Sequence, residues 1–69
     1  MPSTLVRSHS YNSEARELTI TFVAGRRYVY DDVPQELYDR FRAAFSRGTF
    51  FNREIRNRYA YREIAREEA

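Results

Sequence analysis

The run Ser46-Arg47-Gly48-Thr49-Phe50-Phe51-Asn52-Arg53-Glu54-Ile55-Arg56-Asn57-Arg58-Tyr59 holds the densest set of side chains able to act on a ligand. Guanidinium groups present planar, forked donors that match phosphate oxygens two at a time. Gly48 lets the backbone come close to a ligand, and a helix opening there would aim unpaired N–H groups at an anion. Ser46 and Thr49 add hydroxyls, while Asn52 and Asn57 carry amides that match polar base edges. Arg47, Gly48, Thr49, Asn52, Arg53, Arg56 and Arg58 are therefore the candidate nucleic-acid-binding residues. The plainer alternative is a capped junction between two helices whose arginine face is simply solvated.

Other chemistry is sparse. The chain has no cysteine and one histidine, His9, which leaves no thiolate metal site and removes the usual zinc clusters. Asp31-Asp32 could pair as acid and base or hold a hard cation. Standing just before Pro34, they read more simply as negative charge at a helix start. Ser46 and Thr49 have no histidine base in any readable motif. No catalytic residue, metal or cofactor is expected, and the chain is read as a non-enzyme.

With 69 residues there is room for one modest core, assigned to residues 5–62, with flexible ends at 1–4 and 63–69. Net charge is only +2, too little to argue for nucleic acid by itself. Its distribution says more. Arg40, Arg42, Arg47, Arg53, Arg56, Arg58 and Arg62 make seven cations over a stretch with one acid, Glu54, once Asp39 is passed. No segment has the roughly 20 apolar residues that span a bilayer, so no membrane association and a cytoplasmic setting are expected.

The elements that must position these groups follow from periodicity. Leu18-Thr19-Ile20-Thr21-Phe22 alternates as a strand, Gly25 marks a turn, and Arg27 to Tyr30 returns as its partner, giving a hairpin at about 17–30. Leu5 to Tyr11 alternates less cleanly and is a candidate first strand, with turn formers at Asn12 and Ser13. After Val33-Pro34, the spacing of Leu37, Phe41, Ala44 and Phe45 predicts a helix over about 34–45. Gly48 closes it, Thr49 caps the next, and Phe51, Ile55 and Tyr59 carry that second helix over about 49–58. Residues 59–66 are read as a loop or frayed helix. The fold class is α+β, a short antiparallel sheet covered by two C-terminal helices.

Turn parity decides where Tyr28 and Tyr30 point. A three-residue Val23-Ala24-Gly25 loop with Gly25 in the left-handed position pairs Ile20 with Tyr28 and Leu18 with Tyr30. Both rings then join the Leu18/Ile20/Phe22 face as core. A two-residue Gly25-Arg26 loop instead turns Val29 inward and frees both rings as a stacking platform. The first is preferred because it joins two aromatics to a small apolar face. The stacking alternative stays open.

Taken in order, Tyr11, Leu18-x-Ile20-x-Phe22, Tyr28-x-Tyr30, Asp32-Val33-Pro34, Ala44-x-Ser46-x-Gly48 and Phe51-Asn52-x-x-Ile55-Arg56-x-x-Tyr59 resemble the KTSC family over roughly residues 5–62. This small domain is named after the C-terminus of some lysyl-tRNA synthetases and also occurs as a free-standing bacterial protein. The resemblance implies no catalytic residue and suggests RNA binding, with tRNA or another structured RNA as partner. Arg47 stands where the family often has lysine, which preserves the charge, and Ser10 stands where glycine is common. The leading expectation is a non-catalytic RNA-binding module using the arginine-rich second helix and its Gly48 entrance. The runner-up is a protein-interaction or assembly domain using exposed aromatics.

Overall fold

The computed structural model describes residues 6–64. Four antiparallel strands form one sheet in the order β1-β2-β3-β4: β1 (Val6–Asn12), β2 (Glu17–Phe22), β3 (Arg27–Tyr30) and β4 (Tyr61–Ile64). Between β3 and β4 the chain makes α1 (Gln35–Ala43) and α2 (Arg47–Phe50), and α2 runs directly into a π-helical turn at Phe51–Ile55. Leu18, Ile20 and Tyr30 from the sheet meet Val33, Leu37, Phe41, Phe50, Phe51 and Ile55 in one buried core. The fold is α+β, as the sequence pattern predicts.

The central hairpin closes through the three-residue loop. Phe22 N–H donates to the Arg26 carbonyl at 2.9 Å, Gly25 N–H donates to the Phe22 carbonyl at 2.8 Å, and Gly25 takes φ +94°. That φ suits glycine, which has no Cβ to clash. Leu18 therefore faces Tyr30 and Ile20 faces Tyr28, the register of the preferred hairpin. Tyr30 is buried, and Tyr28 is half-buried at the core's margin.

β1 is held by a turn and a side-chain tie. Asn12 Oδ1 accepts from the N–H groups of Glu14 and Ala15 at 3.0 and 3.2 Å, the local bond that makes asparagine a turn former. The Tyr11 hydroxyl donates to the Val33 carbonyl at 2.6 Å, and its ring stacks on Tyr38 with centroids 4.7 Å apart. The first strand thus anchors the entry to α1.

Both helices are shorter than periodicity suggests. α1 ends at Ala43 because Ala44 is extended, at ψ 142°. The predicted stripe therefore splits: Leu37 and Phe41 are buried, whereas Phe45 has left helical geometry and is fully exposed. The first-turn acid is Glu36; Asp31 and Asp32 are tied elsewhere, Asp31 to Arg62 at 2.8 Å and Asp32 to Arg16 at 3.4 Å. α2 starts two residues before Thr49, with Ser46 as its N-cap, because Ser46 Oγ can accept from Thr49 N–H at 3.3 Å. Helical structure stops at Ile55 rather than at residue 58, where Arg56 turns extended and its N–H bonds back to the Phe51 carbonyl at 2.9 Å.

The segment read as loop or frayed helix is β4. Tyr61 pairs with Tyr30, Arg62 with Val29, Glu63 with Tyr28 and Ile64 with Arg27. Asp31 N–H donates to the Ala60 carbonyl at 2.9 Å where the pairing begins. The open edge of β3 supplies partners that four local residues do not advertise. Glu63 and Ile64 therefore belong to the sheet; Leu5 and the ends at 1–4 and 65–69 lie outside the described residues. Among the described residues, no helix is long and apolar enough to cross a membrane.

Candidate functional site

β4 turns the two tyrosines into one side of a cleft. Tyr28 and Tyr30 stand two residues apart on β3 with ring centroids 6.4 Å apart. Tyr61 comes across from β4 to within 5.3 Å of each. On the other side, Phe51 meets Tyr30 edge-on at 5.4 Å and Phe22 at 5.5 Å. Edge-to-face contacts of this kind let the positive ring edge meet a negative face and hold the walls at a fixed angle. The cleft between them is about 470 Å³ and opens to solvent past Tyr61. Its aromatic walls run from buried Tyr30 and Phe51 to half-buried Tyr28 and exposed Tyr61.

Asn52, Arg56 and Asn57 line the same cleft. The π turn and the extended Arg56 that follows it deliver them: Asn57 has φ 70°, a left-handed value asparagine tolerates. Arg56 Nη1 donates to Asn52 Oδ1 at 3.3 Å. The hairpin tip reaches the same place through Val23 and Arg26, across the cleft from Asn52 and Arg56. Arg26, however, forks onto Glu63 at 3.0 and 3.1 Å, and its charge is neutralised there. Burial, with Tyr61 and Tyr28 adding to it, pushes the Tyr30 phenol up to about 12, against a smaller opposing pull from Arg56. Tyr30 is thus a neutral hydroxyl at neutral pH.

The predicted site residues separate into two groups. Asn52 and Arg56 join Tyr28 and Tyr30 at the cleft. Arg47 instead lines a shallow hollow with His9, Asp39 and Arg42 at the far end of the helical layer. Gly48 is buried inside α2 rather than closing α1, and Thr49 is engaged by Ser46 through both its N–H and its hydroxyl. Arg53 lies 3.5 Å from Glu54, and Arg58 donates to the Arg53 carbonyl at 3.2 Å. Among the described residues, Arg47, Arg56 and Arg58 have no carboxylate within ion-pair distance.

Sequence reasoning missed Phe22 and Tyr61 as cleft residues. Phe22 was assigned to the core by the alternation, and it does pack there; its ring also forms the cleft's outer wall. Tyr61 needed β4 to be seen. His9 lines the hollow with Asp39, Arg42 and Arg47; its Nδ1 lies 3.0 Å from the Tyr38 hydroxyl, and its ring meets Phe41 edge-on at 5.0 Å. Burial, then Arg47 and Arg42, lower its pKa. Among the described residues, no group of three or more His, Asp or Glu side chains is arranged to hold a metal.

A four-stranded antiparallel sheet with two helices on one face and an aromatic cleft at the β3–β4 side defines a small α+β domain. The KTSC domain model matches residues 2–59, and the chain belongs to the KTSC domain family. A crystal structure of a KTSC domain protein from Yersinia pestis is similar to it with a TM-score of 0.87 and 31% identity, covering 94% of this chain and 92% of the other. No curated protein matches the chain.

Proposed function

We propose that this protein is a non-catalytic RNA-binding module whose binding surface is the cleft between β3, β4 and the π turn. The observation that carries the reading is the joining of aromatic rings to a cation without an acidic partner: Tyr28 and Tyr61 stand beside Arg56 and the Asn52 amide. Rings stack on bases of any sequence, a guanidinium takes phosphate, and amides meet base edges. Arg58 and Arg47 extend the positive field along the helical layer, steering a polyanion without needing to touch the base. A bacterial cytoplasmic setting goes with this reading.

Compared with a phosphate site at the Gly48 entrance, the cleft is the better candidate because Gly48 is buried and Ser46 occupies Thr49. Titration of labelled tRNA, hairpin and single-stranded RNA pools at low salt tests the reading. Binding that weakens as salt rises supports it; absence of binding to all three pools rules it out. A protein-interaction or assembly role is the second reading, favoured by the fully exposed Phe45 ring. A monomeric elution profile together with failed partner capture would count against that role.

A further inference from the structure

We infer that the cleft takes a single unpaired nucleotide, its base against the Tyr28–Tyr61 wall and its phosphate on Arg56. The inference rests on the RNA-binding reading and narrows it from structured RNA to a loop, bulge or single strand.

Three features carry it. The first is what the cleft offers. Its chief asset is ring surface, with Tyr28 and Tyr61 at 5.3 Å from one another and Tyr61 55% exposed. In an A-form duplex each base face is already covered by its neighbours, and the outside presents sugars and phosphates. Only a base that has left the stack can reach such a wall.

The second is size. About 470 Å³ falls in the range of pockets that hold small organic ligands, and it suits a nucleotide rather than a helix. A duplex laid over the cleft would span its mouth and leave the rings unused.

The third is charge. Two arginines line the cleft, but Arg26 is forked onto Glu63, which leaves Arg56, among the described residues, as its one cation without a carboxylate. One cation matches one phosphate. Because Arg56 bonds to Asn52 Oδ1, the Asn52 amide nitrogen remains to donate to a base acceptor. Base stacking, one edge donor and one phosphate contact then converge on one nucleotide.

The test is fluorescence anisotropy with a short labelled RNA lacking self-complementarity, titrated free and after annealing to its complement at one salt concentration. The full chain is used as wild type and as Tyr61→Ala, Tyr61→Phe and Arg56→Ala, with circular dichroism confirming that each is folded. The free strand should bind roughly ten-fold or more tighter than the duplex. Tyr61→Ala should lose on the order of ten-fold on the free strand, in the range of one base stack. Tyr61→Phe should keep the affinity, Arg56→Ala should weaken binding of the free strand, and the duplex should be insensitive to the two Tyr61 changes. Duplex binding equal to or tighter than the single strand, or single-strand binding indifferent to Tyr61→Ala, overturns the inference while leaving RNA binding in place. No binding to either form overturns the inference and the reading beneath it. A single-stranded DNA of the same sequence separates the two sources of the nucleotide. Weaker binding than RNA supports the RNA nucleotide; equal affinity removes the restriction to RNA and retains the stacked base.

Discussion

Arg56 Nη1 donates to Asn52 Oδ1 over 3.3 Å, across the π turn that links them. The bond holds a guanidinium at the cleft without cancelling its charge, because its partner is a neutral amide. Arg62 makes the informative contrast: it is exposed too, yet it reaches both Asp31 at 2.8 Å and Glu17 at 3.4 Å. These two arginines should therefore behave differently toward a polyanion.

Arg56→Ala is expected to weaken RNA binding and to make the salt dependence shallower by roughly 0.7 in the slope of log affinity against log salt, the value for one phosphate on a single strand. Arg62→Ala should leave that slope unchanged. Both residues are exposed, so Arg56→Ala should alter stability by no more than about 0.5 kcal/mol. Binding isotherms over a series of salt concentrations, run beside urea melts, measure the two effects separately.

Tyr11→Phe separates folding from binding at the opposite end of the sheet. The substitution removes the 2.6 Å bond to the carbonyl of fully buried Val33 and keeps the ring stacked on Tyr38. A loss of about 1–2 kcal/mol is expected, from leaving a buried acceptor without its donor. RNA affinity measured well below the melting transition should be unchanged.

The pH dependence of stability should show two losses with opposite signs. Tyr30 titrates near 12 in the folded protein against 10.0 when unperturbed, so the unfolded chain gives up its proton first. Stability from this group is intact below pH 10 and falls between 10 and 12, no more steeply than about 1.4 kcal/mol per pH unit. His9 runs the other way. Its folded pKa lies below 6.5, so the unfolded chain takes the proton first, and stability present above pH 6.5 is lost as pH falls. Urea midpoints across the pH range, with Tyr30→Phe removing the alkaline loss and His9→Gln the acidic one, check both assignments.

How much of this was legible in the sequence depends on how far apart the interacting residues lie. Gly25 at the third loop position and the alternation of Leu18, Ile20 and Phe22 favoured the hairpin register that the structure shows, hence the side on which Tyr28 and Tyr30 stand. Those are neighbours in sequence. Leu37 and Phe41, and Phe51 and Ile55, were likewise legible, because one helical turn brings each pair to the same face.

β4 was not legible. Tyr61–Ile64 pairs with β3 residues more than thirty positions earlier, and four residues with two charges carry little strand signal of their own. Without β4, Tyr61 had no place in the cleft, and the paired tyrosines had to be either core or platform. They divide the roles: Tyr30 is buried, and Tyr28 leaves part of its ring beside Tyr61. Phe45 was misassigned for a related reason. Periodicity continues a helix until something stops it, and Ala44 turns extended one residue before Phe45 with no helix-breaking residue there to announce it.

The central claim, that the β3–β4 cleft is where RNA binds, is tested most directly by an NMR titration of isotope-labelled protein with an unstructured single-stranded RNA. The account predicts that chemical-shift changes concentrate on Phe22, Tyr28, Tyr61, Asn52 and Arg56, with His9 and Thr49 little affected. Changes confined to His9, Arg47 and Thr49, or no changes at millimolar RNA in low salt, would contradict it.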